Sequence, residues 1–409
     1  MYTNFQTMVK RIRENQYLYY LVSLSLLLSV TAIVFFIAQG KRISVSEKKL
    51  EIKGTGIINI KSYPDGAKIL LNGEPKNATN SVISGLSEGK YRLDIVKEGF
   101  VTWTKQVPVY NGLVTPIDAL LISKTPKIEP LTNVGITRST IANNSAKIVF
   151  SVQQSQKPGL YIIQLQNNLT VNIFKTNAEA LVLDTIDTKF SNATDIKWAP
   201  DDSEILVKLA DESNYLISTN TFQSNISPID TETIDKIMKN WQDEIKVKRE
   251  KFLERKMKEI NISDEIKQLM LDPKLNNNWS PDGDKFFYTA ENEKQIKYRI
   301  YNLEDPLTIG GERDYVAFKL DKTKPQPVNI QWYIDSQHLI VVYGNFKKDN
   351  PNPTGTIYMM NMDGSNFTEI YSGQMTSPLV LATPSGDKLI ITAKFRNDNP
   401  DELYSISLR

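Results

Sequence analysis

Trp279-Ser280-Pro281-Asp282-Gly283-Asp284-Lys285 is the stretch that decides the fold of this 409-residue chain. Proline presets φ, glycine accepts a positive φ, and the pair between polar residues makes a tight turn. The turn feeds an apolar run, Phe286-Phe287-Tyr288, and the same grammar recurs. Trp198-Ala199-Pro200-Asp201-Asp202-Ser203-Glu204 precedes Ile205-Leu206-Val207, and Trp332-Tyr333-Ile334-Asp335-Ser336-Gln337-His338 precedes Leu339–Val342. Ala382-Thr383-Pro384-Ser385-Gly386-Asp387-Lys388 precedes Leu389–Ile391, and a weaker copy, Ile141–Lys147, precedes Ile148-Val149-Phe150. A second β run follows each copy: Leu160–Leu165, Tyr215–Ser218, Lys297–Asn302, Thr356–Asn361 and Glu402–Leu408.

A turn, a strand, a hairpin and another strand, repeated about every 50 residues, is the pattern of propeller blades. The Trp-Ser-Pro-Asp-Gly turn at 279–283 resembles the repeats of TolB-type propellers, as does Tyr358-Met359-Met360-Asn361-Met362-Asp363-Gly364-Ser365-Asn366 with its Asp-Gly-Ser hairpin. The resemblance spans residues 127–409 and implies a TolB-like, WD-type β-propeller. Setting aside a helical insertion at 230–272 leaves about 48 residues per blade for five blades and about 40 for six, both near the usual repeat length. The five visible turns favour five, with six as the alternative. Ile128–Leu131 is placed to supply the outer strand that the last repeat lacks. Trp198, Trp279 and Trp332 hold one repeat position, which points to packing between blades.

Residues 231–260 lack Gly and Pro and read as helix, with Ile234, Met238, Trp241, Ile245 and Phe252 on an interrupted stripe. A second short helix begins after Ser263, with Asp264 and Glu265 suited to its first turn and Pro273 ending it. From 246 to 259 there are seven basic and three acidic residues. Such a run reads first as a solvated face, then as a dock for anionic lipid or an acidic partner. It is not interleaved with stacking aromatics, so nucleic acid is not expected.

Residues 55–123 read as a small all-β domain. Ile58 and Ile60 alternate with polar neighbours, Pro64-Asp65-Gly66-Ala67 turns, and Lys68–Leu71 ends in the hairpin signal Asn72-Gly73. Gly85-Leu86…Gly89-Lys90-Tyr91 leads into a strand with Tyr91, Leu93 and Ile95 on one face, and Glu98-Gly99-Phe100 turns again. The series resembles the PEGA domain, a small β-sandwich, with Asp65 where the name-giving turn has Glu. The resemblance implies a bacterial membrane-anchored or surface protein in which the domain acts as spacer or binder. Gly85…Gly89-Lys90 is one residue short of a phosphate loop and has Tyr91 where Ser or Thr is needed, so it reads as a β-turn.

Residues 17–38 (YLYYLVSLSLLLSVTAIVFFIA) carry no charge. As helix they span about 33 Å, enough for a hydrocarbon core of about 30 Å. Tyr17, Tyr19 and Tyr20 suit the lipid interface, and Phe36 puts a bulky side chain where a cleaved signal needs a small one. This reads as a single-pass anchor. Lys10, Arg11 and Arg13 precede it, while Lys41, Arg42, Lys48, Lys49 and Lys53 follow; counted literally that favours a cytoplasmic C-terminus. Large folded domains translocate with little regard to such counts, and the envelope-type domains favour an extracytoplasmic one.

Composition narrows the chemistry. Apolar residues make up 40% and charged residues 23%, with a formal charge of +2, so the chain is globular and has no excess of cations for coating nucleic acid. Zero cysteines exclude disulfides, thiolate metal sites and thiol nucleophiles. The single histidine, His338, aligns with Lys147, Lys285 and Lys388 at the start of a blade strand, a scaffold position. No G-x-S-x-G nucleophile elbow is read in the chain, so a propeller-bearing prolyl-oligopeptidase-like hydrolase would lack its catalytic half. Asp282-Gly283-Asp284 and Asp363-Gly364-Ser365-Asn366 do not complete a calcium loop.

The expected layout is an all-β chain: N-terminal tail 1–16, transmembrane helix 17–38, stalk 39–54, PEGA-like β-sandwich 55–123 and TolB-like β-propeller 127–409. The expected role is non-enzymatic, a membrane-anchored binding or scaffold protein of the cell envelope holding a wall polysaccharide or an envelope protein. An assembly component recruiting a membrane protein through 231–271 is the second reading, and a propeller glycosidase with a carboxylate pair the third. No catalytic residue, cofactor or metal ligand is expected, and no ligand-binding residue or oligomeric state can be read from the sequence.

Overall fold

A computed structural model describes residues 20–32, 34–35, 42–46, 49–165, 178–306, 312–347, 350, 352–395 and 400–409, with 42–46 and 49–53 described by backbone alone. The chain divides into two compact units, Met1–Lys97 with Thr102–Leu120, and Glu98–Val101 with Leu121–Arg409. Residues 20–32 and 34–35 are helical. No helix among the described residues is long and apolar enough to cross a membrane, and the rest of the apolar stretch 17–38, like the tail 1–16, lies outside them. Within the stalk, Arg42–Ser46 pairs antiparallel with Lys49–Lys53, a ladder that the alternation of Ile43 and Val45 with polar neighbours supports.

The first unit is a two-sheet sandwich. Thr55–Tyr63 lies between Ser81–Ser87, antiparallel, and Val114–Leu120, parallel. The second sheet runs Glu74–Ala78, Lys68–Leu71, Gly89–Val96, Trp103–Val109. Ile58, Ile60, Ile69, Leu93, Ile95 and Val107 are fully buried, each drawn from an alternating strand. Asn72 and Gly73 take φ of 51° and 83°, the paired positive values of a two-residue hairpin turn.

The second unit holds, among the described residues, five antiparallel sheets that we number as blades I to V. Blade I is Ile136–Ile141, Lys147–Val152, Gly159–Gln164 and Glu179–Leu183; blade II is Ala193–Trp198, Glu204–Leu209 and Asn214–Ser218. Blade III is Lys285–Glu291, Gln295–Asn302 and Asp314–Asp321; blade IV is Asn329–Trp332, His338–Asn345, Thr354–Asn361 and Thr368–Gln374. Blade V is Val380–Ala382, Lys388–Ala393 and Glu402–Ser407, completed by Ile128–Pro130, which pairs antiparallel with Glu402–Ser407. In blades I, II, IV and V the second strand lies between two others, which is why these strands read as apolar runs.

Apolar clusters join neighbouring blades, including the first and the last. Val149, Leu160 and Ile162 of blade I bury against Ile205, Val207 and Ile217 of blade II. Phe287, Tyr298 and Ile300 of blade III bury against Leu339, Val341 and Met360 of blade IV. Ile148, Phe150 and Val152 of blade I share a cluster with Leu381, Ile390 and Leu403 of blade V.

Every repeat turn has one geometry. The fifth residue of each copy, Ser145, Asp202, Gly283, Ser336 and Gly386, has φ between 58° and 78°. Its N–H donates to the carbonyl three residues back in all five, at 2.8–3.1 Å. Only two of the five are glycine.

Blade III departs from the plan. Its inner strand is replaced by a 3₁₀ segment, Pro273–Asn278, that follows the two inserted helices Thr231–Lys256 and Asp264–Leu271. Asp230 caps the first, its side chain accepting from Thr233 N, and Ser263 caps the second through Ile266 N. Leu253, Ile260, Ile262, Ile266 and Met270 bury against Trp279, Phe286 and Tyr301 of blade III. The Arg249 guanidinium stacks 4.2 Å from the Trp279 ring, and Lys256 pairs with Asp284 at 3.0 Å. The stripe on the long helix therefore packs only at its Phe252 end; Ile234, Met238, Trp241 and Ile245 stay half-buried.

Candidate functional site

The inner edges of all five blades enclose one cavity of about 630 Å³, a volume in the range of ligand sites, about 300–1,000 Å³. Its wall takes Thr140 and Ile141 from blade I, Lys197 and Trp198 from blade II, and Asn277 and Asn278 from blade III. Gln331 and Trp332 come from blade IV, Leu381 and Ala382 from blade V. Each pair ends the inner segment of its blade, at or just before the repeat turn, so the five-fold repeat itself delivers five pairs to one axis.

Part of the polar wall is committed to structure. Gln331 Nε2 donates to the Val380 carbonyl at 2.5 Å, and Asn329 Nδ2 donates to Pro378 O at 3.1 Å, stitching blade IV to blade V. Asn278 Nδ2 donates to Phe287 O at 2.8 Å, standing in for a strand hydrogen bond that the 3₁₀ segment cannot make. Another part is free. Lys274 and Asn277 are exposed on the wall, and the Trp198 indole N–H is buried with no hydrogen-bond partner among the described residues.

The tryptophans of the repeat part company here. Trp279 is buried under the inserted helices, with Nε1 donating to Met270 O at 3.3 Å. Trp198 and Trp332 pack into the blade interfaces and also line the channel. The reading of all three as packing residues is thus complete for Trp279 alone.

His338 sits where the repeat places a base that closes on the turn. Its Nδ1 lies 2.7 Å from Asp335 Oδ2, and in blade III Lys285 Nζ holds Asp282 Oδ2 at 3.0 Å from the equivalent position. Lys285 is buried, bonded also to Glu304 at 2.9 Å; burial pulls its ammonium down, but the two carboxylates outweigh that and raise it. Burial likewise works to raise Asp282 and Asp335, yet Ser280 and Lys285 in one case and His338 in the other hold both below the ordinary 3.8. These contacts belong to the turn and lie away from the channel wall.

The wall includes no Asp or Glu among the described residues, so the carboxylate pair a glycosidase needs is not assembled there. No group of three or more metal-capable side chains occurs among the described residues. One string that the β-turn reading passes over, Gly85-Leu86-Ser87-Glu88-Gly89, matches G-x-S-x-G letter for letter. A nucleophile elbow needs a strand-to-helix turn; here Ser87 ends the strand Ser81–Ser87 and the next element is the strand Gly89–Val96.

Among the described residues, fold and site together define a small β-sandwich and a propeller-type unit of five sheets around a ligand-sized channel. Residues 55–123 match the family model of the PEGA domain. No curated protein matches the chain significantly. Among solved structures, TolB from Acinetobacter baumannii is similar at 11% identity and a TM-score of 0.25, over 87% of this chain and 63% of that one. A protein from Agrobacterium tumefaciens assigned as TolB gives the same identity and score over 87% of this chain and 99% of its own. The β-propeller domain of the Trilobed protease from Pyrococcus furiosus is similar at 12% identity and a TM-score of 0.21, over 69% of each chain. The chain therefore spans just under two thirds of the Acinetobacter protein. With scores this low, the propeller rests on the strand topology and the shared channel.

Proposed function

We propose that this chain is a membrane-anchored binding protein of the cell envelope that performs no chemistry of its own and holds a wall polymer or an envelope protein in the propeller channel. The observation that carries this is the channel: one cavity walled by all five blades, with indoles, hydroxyls, amides and two ammonium groups and no carboxylate among the described lining residues. Cavities of that volume lie in the range of ligand sites, and a wall at least as polar as it is apolar suits a hydrophilic ligand. The uncharged stretch 17–38 supports an anchor, and a PEGA-type sandwich suits a spacer between anchor and binding unit.

The test is retention of the full chain, in detergent or nanodiscs, on isolated cell-wall material. Asn277→Trp, at an exposed wall position, fills the channel without removing a structural contact. Retention that the plug abolishes supports the reading; retention that it leaves untouched moves the site elsewhere. A second reading has its own observation, since Leu253 is the only buried residue of the 26-residue helix Thr231–Lys256. If deleting 231–271 removes a co-purifying membrane protein while wall binding is absent, the assembly role replaces the first.

A further inference from the structure

The charge on the inner segments is one-sided. Blade I contributes Arg138, blade II Lys197 and Asp195, and blade III Lys274, while the inner strands of blades IV and V carry no ionisable side chain. Asp195 is shared, 3.5 Å from Arg138 and 3.7 Å from Lys197, long contacts between half-exposed groups that hold neither cation firmly. Lys274 has no carboxylate partner among the described residues, its only contact being a backbone N–H donated to Asp272 Oδ1 at 2.9 Å. Two cations, Lys197 and Lys274, thus line the channel from consecutive blades, with Asp195 and Arg138 paired beside Lys197 rather than on the wall.

The neutral wall groups add hydrogen-bonding capacity, although the Trp198 indole N–H is itself buried and is not among the donors open to the channel. The hydroxyls of Thr140 and Ser145 and the Asn277 amide make no side-chain hydrogen bond among the described residues and suit a ligand rich in hydroxyl groups. Trp198 and Trp332 supply flat apolar surface beside them. A walled, partly desolvated channel strengthens any charge interaction within it relative to bulk water.

We infer that the channel takes an anionic saccharide, with its carboxylate or phosphate held between Lys197 and Lys274 and its sugar ring against the indole of Trp198. This rests on the reading of the channel as the binding site, and it adds the ligand's charge and chemical class. Asp195 then acts against affinity by neutralising part of the cationic wall, which gives a test that a merely structural role would not produce.

The experiment measures binding of the full chain, in nanodiscs, to three probes of matched length by calorimetry: an oligogalacturonate, its fully methyl-esterified neutral form and a sugar-phosphate oligomer. Expected are binding of an anionic probe, at least about tenfold weaker binding of the neutral ester, and weakening in high salt. Lys274→Gln and Lys197→Gln each weaken the anion about tenfold, the scale of one charged hydrogen bond, whereas Asp195→Asn tightens it. Preference between carboxylate and phosphate probes identifies which anion the lysines hold. Equal binding of the ester and the acid, insensitive to salt but abolished by Asn277→Trp, overturns the charge inference and leaves the channel as a site. An acidic peptide that binds with the same lysine dependence while all saccharides fail overturns the saccharide assignment. If no probe binds and Asn277→Trp leaves wall retention unchanged, both readings fall.

Discussion

The Trp332 indole N–H donates to the Asn278 carbonyl at 2.8 Å, joining the inner strand of blade IV to the segment that replaces an inner strand in blade III. Blade III lacks the strand ladder that would otherwise fix that edge, so a side chain does the joining. Trp332→Phe keeps most of the ring and leaves the carbonyl unpaired, a change expected to cost about 1–2 kcal/mol. Thermal unfolding should register it as a lower Tm. A Tm equal to that of the unmodified chain would mean that the contact contributes nothing.

Gly386 is constrained twice. Its φ is +62°, and a Cβ there would stand 2.7 Å from the Tyr333 hydroxyl, which itself donates to the Gly386 carbonyl. Gly283 holds the equivalent place with φ +78°, but a Cβ there meets only the Arg249 guanidinium at 3.7 Å. Alanine at Gly283 should cost about 1 kcal/mol from backbone conformation alone. Gly386→Ala should cost about 2–3 kcal/mol, since the clash adds to the conformational term. Urea midpoints of the two variants rank them, and the reverse order would refute the account.

Asp202 shows what the same position does when it is not glycine. Its carboxylate accepts from Asn143 N and Nδ2, both at 2.8 Å, and from Asn144 N at 3.0 Å, so the turn of blade II holds the turn of blade I. Asp202→Ala leaves these donors without their acceptor and should cost about 2 kcal/mol. Asp202→Asn keeps one acceptor oxygen and tolerates the positive φ, so it should retain about half of that in denaturant unfolding.

The turn carboxylates also set a pH dependence. Asp282, Asp335 and Asp387 are all held below the ordinary aspartate value of 3.8; burial opposes this in each, and hydrogen bonds from Ser280, His338, and Ser385 with Thr383 overcome it. A folded pKa below the unfolded one means that the folded state binds fewer protons. The stability is present above 3.8 and is lost as pH falls through the lower folded values. Asp401 works the other way, because burial raises it and protonation relieves that penalty. Asp201, Asp211 and Asp230 are lowered as well, by hydrogen bonds from Ser203, Ser213 and Thr233. Asp401 alone among the described carboxylates is raised, so Tm should fall between about pH 5 and pH 3. Asp335→Asn should show a shallower fall than the unmodified chain, and an identical slope would remove Asp335 from the account.

Much of the propeller is readable from the chain because its turns carry chemistry in sequence: Pro281 and Gly283, or Pro384 and Gly386, mark a bend without reference to anything distant. The strand Ile128–Pro130 is legible for a different reason, since the last repeat visibly lacks a partner for Glu402–Ser407. Ser145, Asp202 and Ser336 are less legible, because their positive φ is stabilised by the turn's own hydrogen bond, and for Asp202 and Ser336 also by contacts to another blade, rather than by residue type. The loss of the inner strand in blade III was hidden too, for nothing local says that Pro273–Asn278 will stand where a strand should. The channel was the least legible part. Its wall is a pair of residues per repeat, as chemically unlike as Lys197-Trp198 and Leu381-Ala382, and only the ring brings them together. The position just before each turn was the available signal, and it carries no motif.

The proposed anchoring through 17–38, and with it the side of the membrane on which the propeller lies, is open to a direct chemical test, because the chain has no cysteine. Ile186 is 95% exposed in the loop between blades I and II, and no hydrogen bond or core contact depends on its side chain. Ile186→Cys should therefore fold normally and react at once with a maleimide that cannot cross membranes, provided that the propeller faces outward. Labelling in intact cells, or after permeabilising an outer membrane alone, supports an envelope binding protein. Labelling only after the inner membrane is breached places the channel in the cytoplasm. The five cations after the apolar stretch, Lys41, Arg42, Lys48, Lys49 and Lys53, would then have outweighed Lys10, Arg11 and Arg13 as the positive-inside tendency favours. An anionic cytoplasmic partner would become the ligand to seek.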